Sequence, residues 1–341
     1  MIQRVLEIGP VHHWLPSAMK LRLQLHGDQI VASETEFGFL SKSIETKILK
    51  RNFDDAGRLL SRIEPESAFL IDRLYSEAIE KIMGVEVSER ALWIREITTE
   101  VSEMISLLKY LALMAQRLGL AVLNHILLKH REELLDLVEL LTGSRFGYYY
   151  LVPGGARYDV TEGFLERLDF WAKNFQADYA KIESMYLWTH AFQNRLKSLG
   201  RVVDQGSFGF VSESSVENTQ LGVVSHIESR LLYALKKSLE VAAELKEMIA
   251  EKTTGAHTQK EALAALAKPS IQHAEVALPT YRGTWALNLA VSKDKTIQSI
   301  EVSTPSDEIQ KAIPFALAEE SIEDVLLILQ SLNFLVTEID R

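Results

Sequence analysis

Two histidines stand side by side, His12 and His13, in the stretch GPVHHWLPSAM from residue 9 to 19. Imidazoles ligate metals and move protons near neutral pH, so this pair is the first place to look for chemistry. Adjacent residues on a strand point to opposite faces, so the two cannot chelate one ion together. A metal site would need a third ligand, such as His26. His125 and His130 lie five apart, off the i, i+4 spacing of a helical zinc pair, and read as surface or helix-packing groups. The chain has no cysteine, which removes thiolate metal sites, disulfides and thiol nucleophiles together. Glycine-rich phosphate loops, a nucleophile elbow and a Ser/His/Asp signature are also missing from the sequence. RFGYYY, at 145–150, offers aromatic faces for stacking, but no basic run adjoins it, so it reads as a buried loop. REELLDLVELL, from residue 131, reads as a solvated acidic face with Asp136 near a helix contact. Residue types alone mark no catalytic residue and no metal site.

The elements that must position these residues change character along the chain. KLRLQL alternates Leu21, Leu23 and Leu25 inward, and HGDQ is a turn before IVASET, so residues 1–35 form a β hairpin region. From residue 39 the period becomes helical. Pro65 opens a helix that Gly84 closes. Ser88 caps a long helix with apolar residues at 91, 94, 97, 101, 104, 108 and 111. A third runs from about Ala121 to Thr142, a very long one from Thr161 to about Leu199, and another over about 223–252. Between the last two lies a Gly- and Ser-rich loop. The bundle thus covers 36–252, a linker 253–272, and an α+β region 273–341 with a β pair in TWALNLAVS and TIQSIEVSTPS. The fold class is α+β, predominantly α: a long helical bundle flanked by small β pieces at both ends.

The net charge of −10 argues against a nucleic-acid binder, which needs a concentrated excess of Lys and Arg. No signal peptide is read at the N-terminus. The apolar stretch 104–128 comes closest to a membrane span, but Lys109, Gln116, Arg117 and Asn124 interrupt it, as in a buried helix pair.

Six segments in order resemble a known family: IGPVH at 8–12, EFGFLSKSIE at 36–45, AIEKIMGVEV at 78–87, REELLDLVELLTGSRF at 131–146, VPGGARYD at 152–159 and TEIDR at 337–341. The chain resembles the 49-kDa-type (D-type) subunit of respiratory complex I and, behind it, the nickel–iron hydrogenase large subunit. That resemblance implies a hydrogenase large-subunit-like bundle. It implies a cleft facing an iron–sulfur cluster held by a small partner subunit, where quinone is reduced or, in hydrogenases, nickel and iron sit. GPVHHWLPSAM would be the loop reaching into that cleft, carrying His12 and His13.

Departures from the family are specific. Pro16 takes the place of the quinone-headgroup histidine, and Pro65 that of the headgroup tyrosine. Gly147 and Tyr148 stand at the cluster-side histidines of the aromatic loop, and the hydrogenase cysteine pairs are absent. The resemblance makes Arg62 and Arg145 cluster-facing, and Glu45, Arg51, Asp340 and Arg341 either cleft charges or buried ion pairs that hold loops. It implies no metal or cofactor bound by this chain, a possible quinone, and an iron–sulfur cluster on the partner. The expected setting is the peripheral arm of an NADH:quinone oxidoreductase or energy-converting-hydrogenase type of complex. There the chain would be cytoplasmic, touching the membrane only through other subunits. With its catalytic residues lost, the chain could instead be a scaffold that keeps the fold without redox chemistry.

Overall fold

The computed structural model describes residues 3–13, 15–202, 226–258, 269 and 271–341. Three strands open the chain: β1 (Gln3–Ile8), β2 (Lys20–His26) and β3 (Gln29–Glu36), antiparallel in the order β1-β2-β3. Leu21, Leu23 and Leu25 alternate into the core as their spacing requires, and Gly27 makes the turn at φ 66°. The loop between β1 and β2 is GPVHHWLPSAM. Gly9 leaves β1 at φ 104°, where a Cβ would come within 2.1 Å of the Met19 carbonyl oxygen. Only glycine fits that close return.

Helices follow: α1 (Ile44–Ile48), α2 (Phe53–Leu60), α3 (Ala68–Met83), α4 (Glu89–Arg117) and α5 (Ala121–Thr142). Pro65 heads a single 3-10 turn, Pro65–Ser67, that leads into α3, and Gly84 ends α3 at φ 68°. The Ser88 hydroxyl accepts from the Ala91 N–H at 3.2 Å, and every residue of the predicted apolar stripe on α4 is buried. Gly119, at φ 76°, separates α4 from α5 within the apolar stretch. No helix among the described residues is long and apolar enough to cross a membrane.

Two short strands, β4 (Leu151–Val152) and β5 (Gly155–Ala156), lead to α6 (Glu162–Leu187). This helix stops short of the predicted Leu199. The Thr189 hydroxyl donates to the Tyr186 carbonyl and accepts from the Phe192 N–H at 3.2 Å, starting a π-helical turn at Ala191–Arg195. The Gly- and Ser-rich loop falls mainly outside the described residues, as does most of the 253–272 linker. After α7 (Ile227–Ala250) comes a sheet of three strands rather than the expected pair: β6 (His273–Thr280), β7 (Gly283–Val291) and β8 (Ile297–Ser303), in the order β6-β7-β8. Pro279 near the end of β6 hides that strand in the sequence, and an edge position tolerates it. The chain closes with α8 (Pro305–Leu317), α9 (Val325–Ser331) and α10 (Val336–Ile339).

Two buried clusters organise the molecule. One runs through β2, α4 to α7 and the helices after β8, while the other joins α1 to α3 with the β6-β7-β8 sheet. The stretch 273–341 therefore divides between the two cores. Helices carry most of the fold and small sheets flank the bundle, which is the predicted class.

Candidate functional site

A cavity of about 300 Å3 opens where four segments converge: the β1–β2 loop, the turn before α3, the middle of α4, and residues 330–337. Pro16 and Pro65 both line it. Residues 49 apart in sequence are thus brought to one cavity, and neither side chain offers a hydrogen bond.

Polar groups in the cavity come from other positions. Glu64 is 4% exposed, and its carboxylate accepts from the Thr337 hydroxyl. Burial pushes its pKa up, helped by the neighbouring negative charge of Glu338 and opposed by the Thr337 bond. Glu66 holds Lys109 at 3.2 Å and also binds Arg131, so the cavity rim carries a fixed network of charges. Ser106 of α4 shares a 2.9 Å hydrogen bond with the Tyr281 hydroxyl, which also accepts from Asn333 Nδ2 at 3.1 Å. Tyr110 donates to the Ser331 carbonyl at 3.2 Å, and Phe146, Leu113 and Phe334 supply apolar wall. The arrangement can hold a small, partly polar molecule between an apolar side and a side with carboxylate, ammonium and hydroxyl groups.

The histidine pair sits differently from expectation. His12 and His13 lie in the loop, not on a strand, and their rings stack at 4.8 Å between centroids. Gly9 and Pro10 end β1 at Ile8, so strand alternation does not govern the two rings. They stand outside the residues that line the cavity; the loop's contribution there is Pro16 and Ser17. Among the described residues no three His, Asp or Glu side chains are placed to hold a metal ion. His130 is a buried packing group, 3.2 Å from Asp178 and edge-on to Trp171 and Phe175.

The aromatic loop is buried at Tyr149 and Tyr150, as predicted, but it does have a basic surround. Arg62 lies over the Tyr148 ring at 5.0 Å, and Arg58 and Arg157 flank Tyr149 at 5.3 and 4.7 Å. These arginines come from α2, its C-terminal end and the β5–α6 connection, which is why no basic run marked them in the sequence. Arg145 instead pairs with Glu132 of α5, with Asp136 at 3.9 Å.

The four charged candidates near the tail divide. Arg341 bonds Glu45 at 3.3 Å and Asp307 at 2.9 Å, a stitch between the tail, α1 and α8. Asp340 is buried, but its carboxylate accepts from the Gly38 and Leu40 N–H groups at 2.6 and 2.8 Å, so its role is to cap backbone. Arg51 is exposed and donates to the Lys47 carbonyl at 2.7 Å; a position just past α1 leaves its side chain in water. Glu45 remains partly exposed at 32%. None of the four lines the cavity.

Sequence reasoning missed the deepest ion pairs. Arg282 and Glu338 are 4% and 0% exposed, linked through Arg282 Nη1 to Glu338 Oε2 at 3.0 Å, with Ser306 donating to the same oxygen at 2.5 Å. Arg95 holds Glu80 in a two-pronged pair at 2.8 and 2.5 Å, and the Gly154 N–H adds a bond at 2.6 Å. The VPGG segment is thus fastened to α3 and α4.

Residues 118–211 match the family model described as the 49 Kd subunit of respiratory-chain NADH dehydrogenase. The D-type subunit of the F(420)H(2) dehydrogenase of Methanosarcina mazei is 32% identical over 165 residues, 48% of this chain and 44% of that protein. The D-type subunit of the NADH-quinone oxidoreductase of Carboxydothermus hydrogenoformans is 32% identical over 197 residues, 58% of this chain and 54% of that one. The chain spans about half the length of the curated relatives it matches. A chain in the structure of the membrane-bound sulfane sulfur reductase, an archaeal respiratory membrane complex, shares the fold. Its TM-score is 0.85 at 21% identity, covering 99% of this chain and 98% of the other. The resemblance to D-type subunits is borne out by these sequence matches, and the sulfane sulfur reductase chain shares the fold over nearly the whole length.

Proposed function

We propose that this chain, a relative of the D-type subunits of respiratory NADH dehydrogenases, is a subunit of a complex I-like or related respiratory membrane complex. It packs there on a small iron–sulfur subunit, with its Pro16–Pro65 cavity at the end of the electron path. The observation that carries this reading is the convergence of Pro16, Pro65 and the 330–337 segment on one cavity of about 300 Å3. Relatives named as subunits of NADH-quinone oxidoreductases and F(420)H(2) dehydrogenases support it. No nickel fits: the chain has no cysteine to supply thiolate. A quinone headgroup meets no histidine or tyrosine at positions 16 and 65, leaving polar side chains of the lining such as Ser17, Ser106, Lys109, Gln330, Asn333 and Thr337 to meet it. Two missing ordinary hydrogen bonds weaken binding by roughly ten- to a hundredfold. The acceptor is therefore a small redox molecule held by rebuilt contacts, and ordinary quinone turnover is weak.

Purification of the tagged chain from its own host in mild detergent tests membership. Co-purification of an iron–sulfur subunit with a paramagnetic cluster signal is expected, and a monodisperse chain with no partner counts against it. A second reading, a scaffold that retains the fold without redox chemistry, is favoured by the two prolines. Lys109→Ala separates the two: in a working cleft it changes acceptor reduction by the assembled complex several-fold, and in a scaffold it changes nothing.

A further inference from the structure

The cavity has a back door. Ser106 lines both the cavity and a void of about 20 Å3, room for one water, between α4 and the β6–β7 turn. Glu103 and Tyr281 line both that void and a groove of about 1010 Å3 along α4, α7 and the end of β6. Three spaces therefore run end to end across α4. Glu100, Glu103 and Ser106 recur at three-residue intervals along α4. Glu103 accepts from the Tyr281 N–H at 3.2 Å, and the Tyr281 hydroxyl meets Ser106 at 2.9 Å. Glu100 opens on the groove, and its Oε2 is buried without a hydrogen-bond partner.

We propose that Glu100, Glu103, Tyr281 and Ser106 form a proton path from the α4–α7 groove to the cavity. A proton enters from solvent at the Glu100 carboxylate and passes to Glu103. It crosses the one-water void to the Tyr281 and Ser106 hydroxyls, each of which gains one proton and releases one. Only O–H bonds form and break, and no electron moves. The receiving group in the cavity is the acceptor of the functional reading, on which this inference rests, or the buried Glu64 carboxylate. Burial raises both Glu100 and Glu103 to about 7, so each can hold and release a proton near neutrality. The charges facing them are Glu96 on α4, Arg73 on α3, Lys237 and Glu244 on α7, and Arg282 after β6.

Glu103→Gln keeps an oxygen for the Tyr281 N–H but cannot carry a proton, so a purely structural role survives it. In the full chain, infrared titration should show a carboxyl band with a midpoint of about 7 that this variant removes. In the assembled complex, Glu103→Gln should slow acceptor reduction by about a hundredfold and raise the solvent deuterium isotope effect. Reduction of the partner's cluster should continue unchanged, and Glu103→Asp should recover part of the loss. Tyr281→Phe, which keeps the backbone N–H, should slow acceptor reduction in the same way. Turnover of Glu103→Gln within about twofold of the parent overturns the path. So does a titration in which no neutral-range band belongs to Glu103. The infrared arm needs no turnover, so it separates failure of the path from failure of the functional reading.

Discussion

Arg282 and Glu338 meet where water does not reach, and Ser306 fills another acceptor position on the same carboxylate. Desolvating two charges is costly, and only complete pairing offsets it. Glu338→Ala leaves a buried guanidinium without its partner and should cost about 3–5 kcal/mol in urea denaturation. Replacing both residues by apolar ones of similar volume should recover most of that loss. The sequence did not announce this pair. TEIDR shows three charges in five residues, and nothing in their order says that Glu338 turns inward while Arg341 reaches α1 and α8. Arg341 was legible through the family segment, whereas Arg282 sits in a hairpin turn, where arginine is ordinarily solvated. Pro16 and Pro65 drew attention through a resemblance of their surrounding segments, not because proline signals a cavity.

Elements were read better where one face is buried and the period is clean. β2 and α4 declare themselves through alternation and through the i, i+3, i+4 stripe. β6 and the end of α6 were misread, because Pro279 and Thr189 act locally against patterns that their neighbours continue. The β1–β2 loop is the element that delivers Pro16 to the cavity, and its geometry depends on Gly9. Gly9→Ala forces a Cβ against the Met19 carbonyl at a left-handed φ, so it should destabilise by more than about 1 kcal/mol. A thermal melt gives the size. Faster hydrogen exchange confined to residues near Leu15 and Met19 would localise the effect to the loop.

Across the whole molecule, several carboxyls hold their protons more tightly folded than unfolded. Glu64 and Asp72 are raised by burial, and Glu100 and Glu103 reach about 7. With raised native pKa values the folded state binds more protons than the unfolded chain between the two titrations, so stability falls as pH climbs through that window. Their contribution should be intact below an ordinary carboxyl value of about 4.3 and diminish steadily towards neutrality. Denaturation of the Glu100→Gln, Glu103→Gln double variant at several pH values should give a flatter profile than the parent over that range. An identical slope would show that these groups titrate normally.

The cavity is walled on one side by residues 330–337, and that wall is fastened by Glu338 to Arg282, by Thr337 to Glu64 and by Asp340 to the backbone at Gly38 and Leu40. Loosening any one of these ties would leave the cavity open along the 330–337 side, so the shape a bound molecule meets is set in part by contacts that never touch it.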